Sequence, residues 1–593
     1  MTELDSLLDR LNPEQLAAVE YNDNTVVLAG PGSGKTDTIV LKVARLLHTE
    51  VVPPRGVACI TYGNDAVREF SIRLRRLGLR QGHRLFLGTV HSFCLNRILR
   101  PFATIAGRPD LARPRVLTPA EQRRAIQASL DAVGVSEDPQ YFDATLTRIR
   151  RAMACGESLN PFDERHVAVA EHFNSQLAVE EAVDFEAMTL EALRIVHMSE
   201  DVRELLVARY PWFAVDEYQD LGGPLHQIVT ELRGAGSRIF AVGDPDQCIL
   251  SFTGADPAYL TELSDDDAFR TIRLRFNYRS GARLIAAAEA TLGAARNYQP
   301  APDRDHEGDI EFEEVDGGLE GQADHVIHAI VPELIAAGVE PHEIAVLYKQ
   351  RGELFDALLA KIPQADEQYL VEKDVRFPSS PIVRWLQRCA TKALGGEDAD
   401  SLTELAAPYR ELLAFGGVYE EDLVVRERLL DAIADTDPNL ELSDWMAGFD
   451  DALELRELLK TDGTRPDDVE AIRSLREASA SPVPLLDFAR GVQVRGRVVL
   501  TTYHASKGRQ FDVVILPGLQ LSLFPFARWG GGTYRATPVQ LIEDRRLFYV
   551  GLTRARFQVH LVYSPSFVNR WGNTVEGASP FVHEVAARIG VRL

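Results

Sequence analysis

Short apolar runs punctuate the chain, each closed by a polar, glycine-rich or acidic turn: Thr25 to Ala29, Val57 to Thr61, Trp212 to Val215, and Arg238 to Val242. Apolar runs of this length bounded by turns predict strands buried on both faces. That is the signature of a parallel sheet whose ligands sit at the C-terminal strand ends. A second set, Ile344 to Tyr348, Val498 to Thr502, Val513 to Leu516 and Phe557 to Tyr563, predicts a second sheet. Residues 100–190 and 378–492 carry helix-forming patterns without clear strand signals, and Asp451-Ala452-Leu453-Glu454-Leu455-Arg456-Glu457-Leu458-Leu459 reads as helix. The expected architecture is α/β, with two parallel-sheet domains that each carry a mainly helical insertion.

Apolar residues make up 45% and charged residues 26%, which fits a folded, cored protein rather than a disordered or collagenous one. The net charge of −24 excludes a uniformly basic surface, so nucleic acid would be bound in a local groove. The five cysteines are far apart with no CxxC pair, which encodes neither a zinc ribbon nor a close iron-sulfur run. An acidic N-terminus and the lack of a long apolar run predict a soluble, cytoplasmic protein with reduced thiols.

Chemistry enters with Ala29-Gly30-Pro31-Gly32-Ser33-Gly34-Lys35-Thr36, between a predicted strand and the helical run Thr38 to Leu47. Glycines at this spacing let backbone N–H groups curl around phosphate oxygens, Lys35 reaches the β- and γ-phosphates, and the Thr36 hydroxyl ligates Mg2+. After the third strand, Val215-Asp216-Glu217-Tyr218-Gln219-Asp220 offers Asp216 as a Mg2+ ligand and Glu217 as the group that orients and deprotonates water. After the fourth, Val242-Gly243-Asp244-Pro245-Asp246-Gln247 places the Gln247 amide to sense a γ-phosphate. Together they point to a nucleotide hydrolase.

With these motifs in order, the chain resembles the superfamily 1 DNA helicases of the UvrD/Rep/PcrA type, from residue 11 to about residue 575. Leu11-Asn12-Pro13-Glu14-Gln15 looks like their Q motif, so the resemblance assigns adenine reading to Gln15. Leu274-Arg275-Phe276-Asn277-Tyr278-Arg279-Ser280 matches the motif whose tyrosine stacks on adenine and whose arginine touches the γ-phosphate, which implies Tyr278 and Arg279. Tyr503-His504-Ala505-Ser506-Lys507-Gly508 and the Thr553-Arg554-Ala555 run look like the last two motifs, with Arg554 as arginine finger and Gln510 toward the ribose. The implied cofactors are ATP and Mg2+. The implied domains are a RecA-like domain of residues 1–99 and 191–270 with insertion 100–190, and a second of residues 271–377 and 493–593 with a short insertion 378–492.

For DNA, the resemblance implies Thr89 and His91 in Gly88-Thr89-Val90-His91-Ser92-Phe93, Tyr62 and Asn64 in Thr61-Tyr62-Gly63-Asn64, Phe252, and His504. Tyr62 and Phe252 have two readings, as base-stacking platforms or as core aromatics near strand ends. Trp571 is read either as the wedge of a strand-separating hairpin or as packing. The run Arg73, Arg75, Arg76, Arg80, Arg84 is either a phosphate track or a solvated helix face.

The chain departs from the family at Asp37 (usually arginine), at Leu250 and Thr253 (usually an aromatic and an arginine), and at Arg509-Gln510 (usually Leu-Glu). These departures predict an intact ATPase with altered DNA coupling. The function expected is a 3′-to-5′ helicase or translocase acting on single-stranded DNA and single/double-strand junctions in repair or replication-linked processing. Two rivals stand beside it: the motor subunit of a repair or phage-defence complex with a partner nuclease, and an ATP-gated DNA-binding scaffold with little unwinding. The short second insertion favours an enzyme that needs a protein partner.

Overall fold

The structure, a computed structural model, describes residues 3–61, 63–80, 82–117, 119–249, 254–304, 306–362, 368–371, 380–396, 399–415, 418, 420–434, 436–437, 440–460, 466–478, 483–490, 496–530, 533–569 and 572–593. The first sheet has six strands in the order Leu85–Thr89, Val57–Thr61, Trp212–Val215, Arg238–Gly243, Thr25–Ala29, Arg270–Leu274, all parallel. Alternate side chains enter two different cores. Val26, Ala58, Ile60, Phe213 and Val215 pack on one face, and Val27, Val57, Cys59, Trp212 and Ala214 on the other. A strand covered on both faces needs apolar residues at every position, which is why these runs read as continuous.

The second sheet repeats the design in the order Asp309–Glu314, Ala555–Tyr563, Phe511–Leu516, Ile344–Tyr348, Val498–Thr502, Tyr369–Val371, again all parallel. Ala345 and Leu347 face one core, and Ile344, Val346 and Tyr348 the other. The strands that the apolar pattern did not predict are the edges of the two sheets. Asp309–Glu314 and Arg270–Leu274 alternate charge with apolar residues because an edge is solvated on one side. Since Arg270–Leu274 pairs in register with Thr25–Ala29, the first sheet runs past the domain boundary expected at residue 270.

The two insertions differ in their packing. Helices Pro119–Val133, Pro139–Cys155 and Glu164–Val179 bury Ile126, Phe142, Ile149 and Phe173 in a cluster continuous with the first sheet's core. The second insertion has its own core of Trp385, Tyr409, Leu429, Phe449, Leu475 and Phe488. The helix expected over 451–459 is two helices, Leu442–Leu453 and Leu455–Lys460, broken where Glu454 turns left-handed at φ 54°. No turn residue marks that break in the sequence. Among the described residues no helix is long and apolar enough to cross a membrane, and none of the five cysteines is in a disulfide.

Candidate functional site

The phosphate loop follows the Thr25–Ala29 strand and leads into helix Lys35–Arg45. Gly32 and Gly34 take positive φ, 68° and 79°, and a Cβ on them would lie 2.5 Å from Asn277 Oδ1 and from Gln15 Nε2. Only glycine combines that backbone with that proximity. Gly30 meets a different neighbour, since a Cβ there would lie 2.4 Å from the Tyr298 ring. Ala29 and Ser33 are buried, Pro31 lines a small cavity together with Tyr298, and Thr36 is half-buried at the helix start. The Lys35 ammonium makes no hydrogen bond and stands 3.8 Å from Glu217 Oε1. A buried cation with no hydrogen-bond acceptor is suited to phosphate oxygens.

Gln15 sits in a capping box at the start of helix Pro13–Glu20, its N–H donating to Asn12 Oδ1 at 2.8 Å and its Oε1 accepting from Asn12 N at 3.2 Å. Its amide also donates to the Ser33 carbonyl at 3.0 Å. The Asn12 amide reaches the Tyr278 hydroxyl at 2.9 Å, and the Tyr278 N–H donates to the Gly32 carbonyl at 2.8 Å. Gln15 and Tyr278 are thereby brought to one end of the loop. Asp37, in the place expected for a stacking arginine, pairs with Arg73.

Asp216 and Glu217 turn off the end of the Trp212–Val215 strand, anchored by the Asp216 N–H to the Ile60 carbonyl at 2.9 Å. Glu217 is left-handed at φ 50°, a cost of about 1 kcal/mol for a residue with a Cβ, and the turn aims its carboxylate at Lys35. Burial, and then the charge of Glu217, push the Asp216 carboxyl up. Burial opposes ionisation of Glu217 as well, but Lys35, Lys507, the Gln219 amide and Arg554 outweigh it and hold Glu217 low. Burial also raises Asp220 and Asp244, each to about 6.

Arg554, immediately before the Ala555–Tyr563 strand of the second sheet, reaches this row, and Arg279 lies against the segments that flank it. Arg554 is 2% exposed and donates to Gln247 Oε1 at 3.1 Å and to the Val550 carbonyl at 3.0 Å. Gln247 is held by its own amide on Asp244 Oδ2 at 2.7 Å. Arg279 donates to the Thr553 carbonyl at 2.8 Å and to Gln510 Oε1 at 3.2 Å. Burial lowers Arg554 to about 10, and burial with repulsion from Arg554 and Arg556 lowers Arg279 to about 9. Two guanidiniums held close with so little neutralisation form a receptor for an anion.

Sequence reasoning missed three participants. The Lys507 ammonium pairs with Asp220 and donates to the Gln247 carbonyl at 2.9 Å, although both residues lie inside quoted motifs. Asn277 Oδ1 caps Arg279 N at 2.8 Å and Ser280 N at 3.0 Å, which shapes the loop that carries Arg279. Tyr298 had no motif to announce it.

Thr89 and His91 leave the C-terminal end of Leu85–Thr89, where the Thr89 hydroxyl accepts from Ser92 N at 3.3 Å and the His91 ring meets Phe185 edge-on at 5.4 Å. His504 follows the C-terminal end of Val498–Thr502. Asn64 begins helix Asn64–Arg76, but its side chain, and residues Tyr62, Leu250, Phe252, Thr253 and Trp571, lie outside the described residues. In the basic run, Arg73 is spent on Asp37 and Glu69 and Arg84 on the Leu47 and Val51 carbonyls. Arg75, Arg76 and Arg80 remain exposed.

Residues 11–268 match the UvrD/REP helicase N-terminal domain, and residues 486–566 match the UvrD-like helicase C-terminal domain. Among named relatives, an ATP-dependent DNA helicase PcrA of Staphylococcus epidermidis is 24% identical over 93% of this chain and 83% of its own length. One from Staphylococcus aureus is 25% identical over 95% of this chain and 84% of its own.

Proposed function

The chain belongs to the UvrD/Rep family of ATP-dependent DNA helicases, and from that premise we propose that it steps 3′ to 5′ along single-stranded DNA, in repair or replication-linked processing in the cytoplasm. The observation that carries the reading is Arg554 of the second sheet bonded to Gln247 of the first, beside a Lys35 ammonium that makes no hydrogen bond. Groups from both sheets then meet at one phosphate position, so their separation depends on what fills it.

ATP with Mg2+, when bound, supplies the anhydride that is cleaved. Gly30 to Gly34 and Lys35 would hold the phosphates, and Thr36 and Asp216 the metal, the remaining ligands being phosphate and water. Glu217 would take the proton of the attacking water. Its low pKa depends largely on Lys35, so a Lys35 ammonium drawn to phosphate leaves Glu217 a stronger base. Gln247, Arg279 and Arg554 would stabilise the charge that develops on the transferred phosphoryl group. Gln15 and Tyr278 would flank the base, and Gln510 would face the ribose. With Asp37 tied to Arg73, adenine would be stacked from one side. Thr89, His91 and His504, with Tyr62, Asn64, Phe252 and Trp571, would meet the DNA.

The test is steady-state ATP hydrolysis with and without a single-stranded oligonucleotide. Turnover should rise strongly with the oligonucleotide and vanish in Lys35→Ala and Glu217→Gln, the second variant still binding ATP. Undiminished turnover in Glu217→Gln, or no response to DNA in the unaltered chain, refutes the reading. Duplexes with a single 3′ or 5′ tail read the direction.

A further inference from the structure

Two antiparallel hairpins rise side by side from neighbouring strands of the second sheet. One, Ser566–Val568 with Thr574–Glu576, follows Ala555–Tyr563, and the other, Arg528–Gly530 with Thr533–Arg535, follows Phe511–Leu516. Both leave the C-terminal edge of a parallel sheet, the edge after which His504 also follows its strand. They are joined where Tyr534 packs against the Phe567 and Val575 cluster and its hydroxyl accepts from Asn569 Nδ2 at 3.3 Å.

The Arg528–Arg535 hairpin has three features that structure alone does not justify. Trp529 is 64% exposed, its ring held edge-on against Tyr534 at 5.0 Å. Arg528 and Arg535 are register partners directly across the two strands, and like charges so placed are destabilising. Neither guanidinium forms an ion pair or hydrogen bond among the described residues, and both are exposed. Finally, in a chain with 88 acidic residues, Arg528 and Arg535 are the only charged side chains between Asp512 and Glu543. The hairpin's own charge is positive in a chain of net charge −24.

We propose that this hairpin is a DNA-binding element, in which Trp529 on one face of the ribbon stacks on a base and Arg528 and Arg535 on the opposite face hold backbone phosphates. An exposed aromatic ring on one face of a narrow ribbon and a pair of cations on the other suit a nucleic acid, since every base has a π-face and every phosphate a charge. The inference rests on the helicase reading and adds a contact outside its motifs. Tyr534 positions Trp529 and does not itself touch DNA. The exposed tryptophan also fits a protein partner, but the paired, unneutralised arginines favour a polyanion.

The probe is a forked DNA with a 3′ tail. Trp529→Ala should weaken fork affinity by about 5- to 150-fold, the range of one lost base stack. Trp529→Phe should retain most of the affinity while losing the part of the fluorescence quenching that DNA causes in the unaltered chain. Arg528→Gln with Arg535→Gln should flatten the slope of log affinity against log salt by about 1.5. ATP turnover saturated with single-stranded oligonucleotide should change less than about twofold in every variant, which also reports folding. Unchanged fork affinity, salt slope and quenching in these variants, with DNA-stimulated turnover intact, overturns the proposal and leaves the helicase reading standing. Loss of DNA response in the unaltered chain overturns both.

Discussion

Lys42 shows how much a single side chain can carry without taking part in chemistry. It is fully buried on the helix that leaves the phosphate loop, donating to the Val19 carbonyl at 3.2 Å and to Tyr21, with Trp212 4.7 Å below. It ties that helix to the Gln15 segment and the sheet. Burial lowers its pKa from 10.5 to about 8. Below about 8 the lysine is charged in both folded and unfolded chains, and the cost of burying it is constant. Between about 8 and 10.5 the folded chain has lost the proton that the unfolded chain keeps, so stability rises with pH. The gain across that window is about 3 kcal/mol. Denaturant unfolding should show the unaltered chain gaining this much relative to Lys42→Met between those pH values, and parallel pH profiles for the two proteins would contradict the assignment. Asp216 and Glu217 show the opposite case, adjacent carboxyls whose surroundings drive them apart, one up and one down.

At the scale of elements, much of the function lies in how strands and helices end. The Asp216-Glu217 turn, the phosphate loop and the Asn277 cap are all terminations, where backbone geometry aims a side chain that the regular element could not. The break at Glu454 is a termination without such a role: its N–H caps the Asp450 carbonyl and its side chain is exposed. A left-handed residue after a helix is most stable as glycine. Glu454→Gly should therefore stabilise the second insertion by about 1 kcal/mol, read as about fivefold slower amide exchange across residues 442–460. Faster exchange in the variant would mean that the Glu454 side chain has work the geometry does not show.

For the whole molecule, the join between the sheets matters more than either sheet. Lys507 bridges them, and Asp220 beneath it is 4% exposed with one carboxylate oxygen otherwise unpartnered. Removing one partner of a buried pair costs about 3–5 kcal/mol, because the other charge is left stranded. Lys507→Met should lower DNA-stimulated ATP turnover on the order of 100-fold, and adding Asp220→Leu should recover part of the loss. A double variant as impaired as the single would show that Lys507 acts on the nucleotide rather than on Asp220. The phosphate loop, the Asp216-Glu217 pair and the central strands were legible in the sequence, because each is a local pattern: glycine spacing, acids after an apolar run, or apolar residues at every position of a doubly covered strand. The edge strands Asp309–Glu314 and Arg270–Leu274 were not, since half-solvated positions blur the pattern, and neither was the turn at Glu454, which no residue type announces. Sequence order alone determined that there are two sheets and which residues end their strands. Only the tertiary structure decided that Arg554 meets Gln247, that Lys507 meets Asp220, that Tyr298 covers Gly30, and that two arginines face each other beside an exposed tryptophan, because contacts between residues hundreds of positions apart are set by the packing of whole sheets.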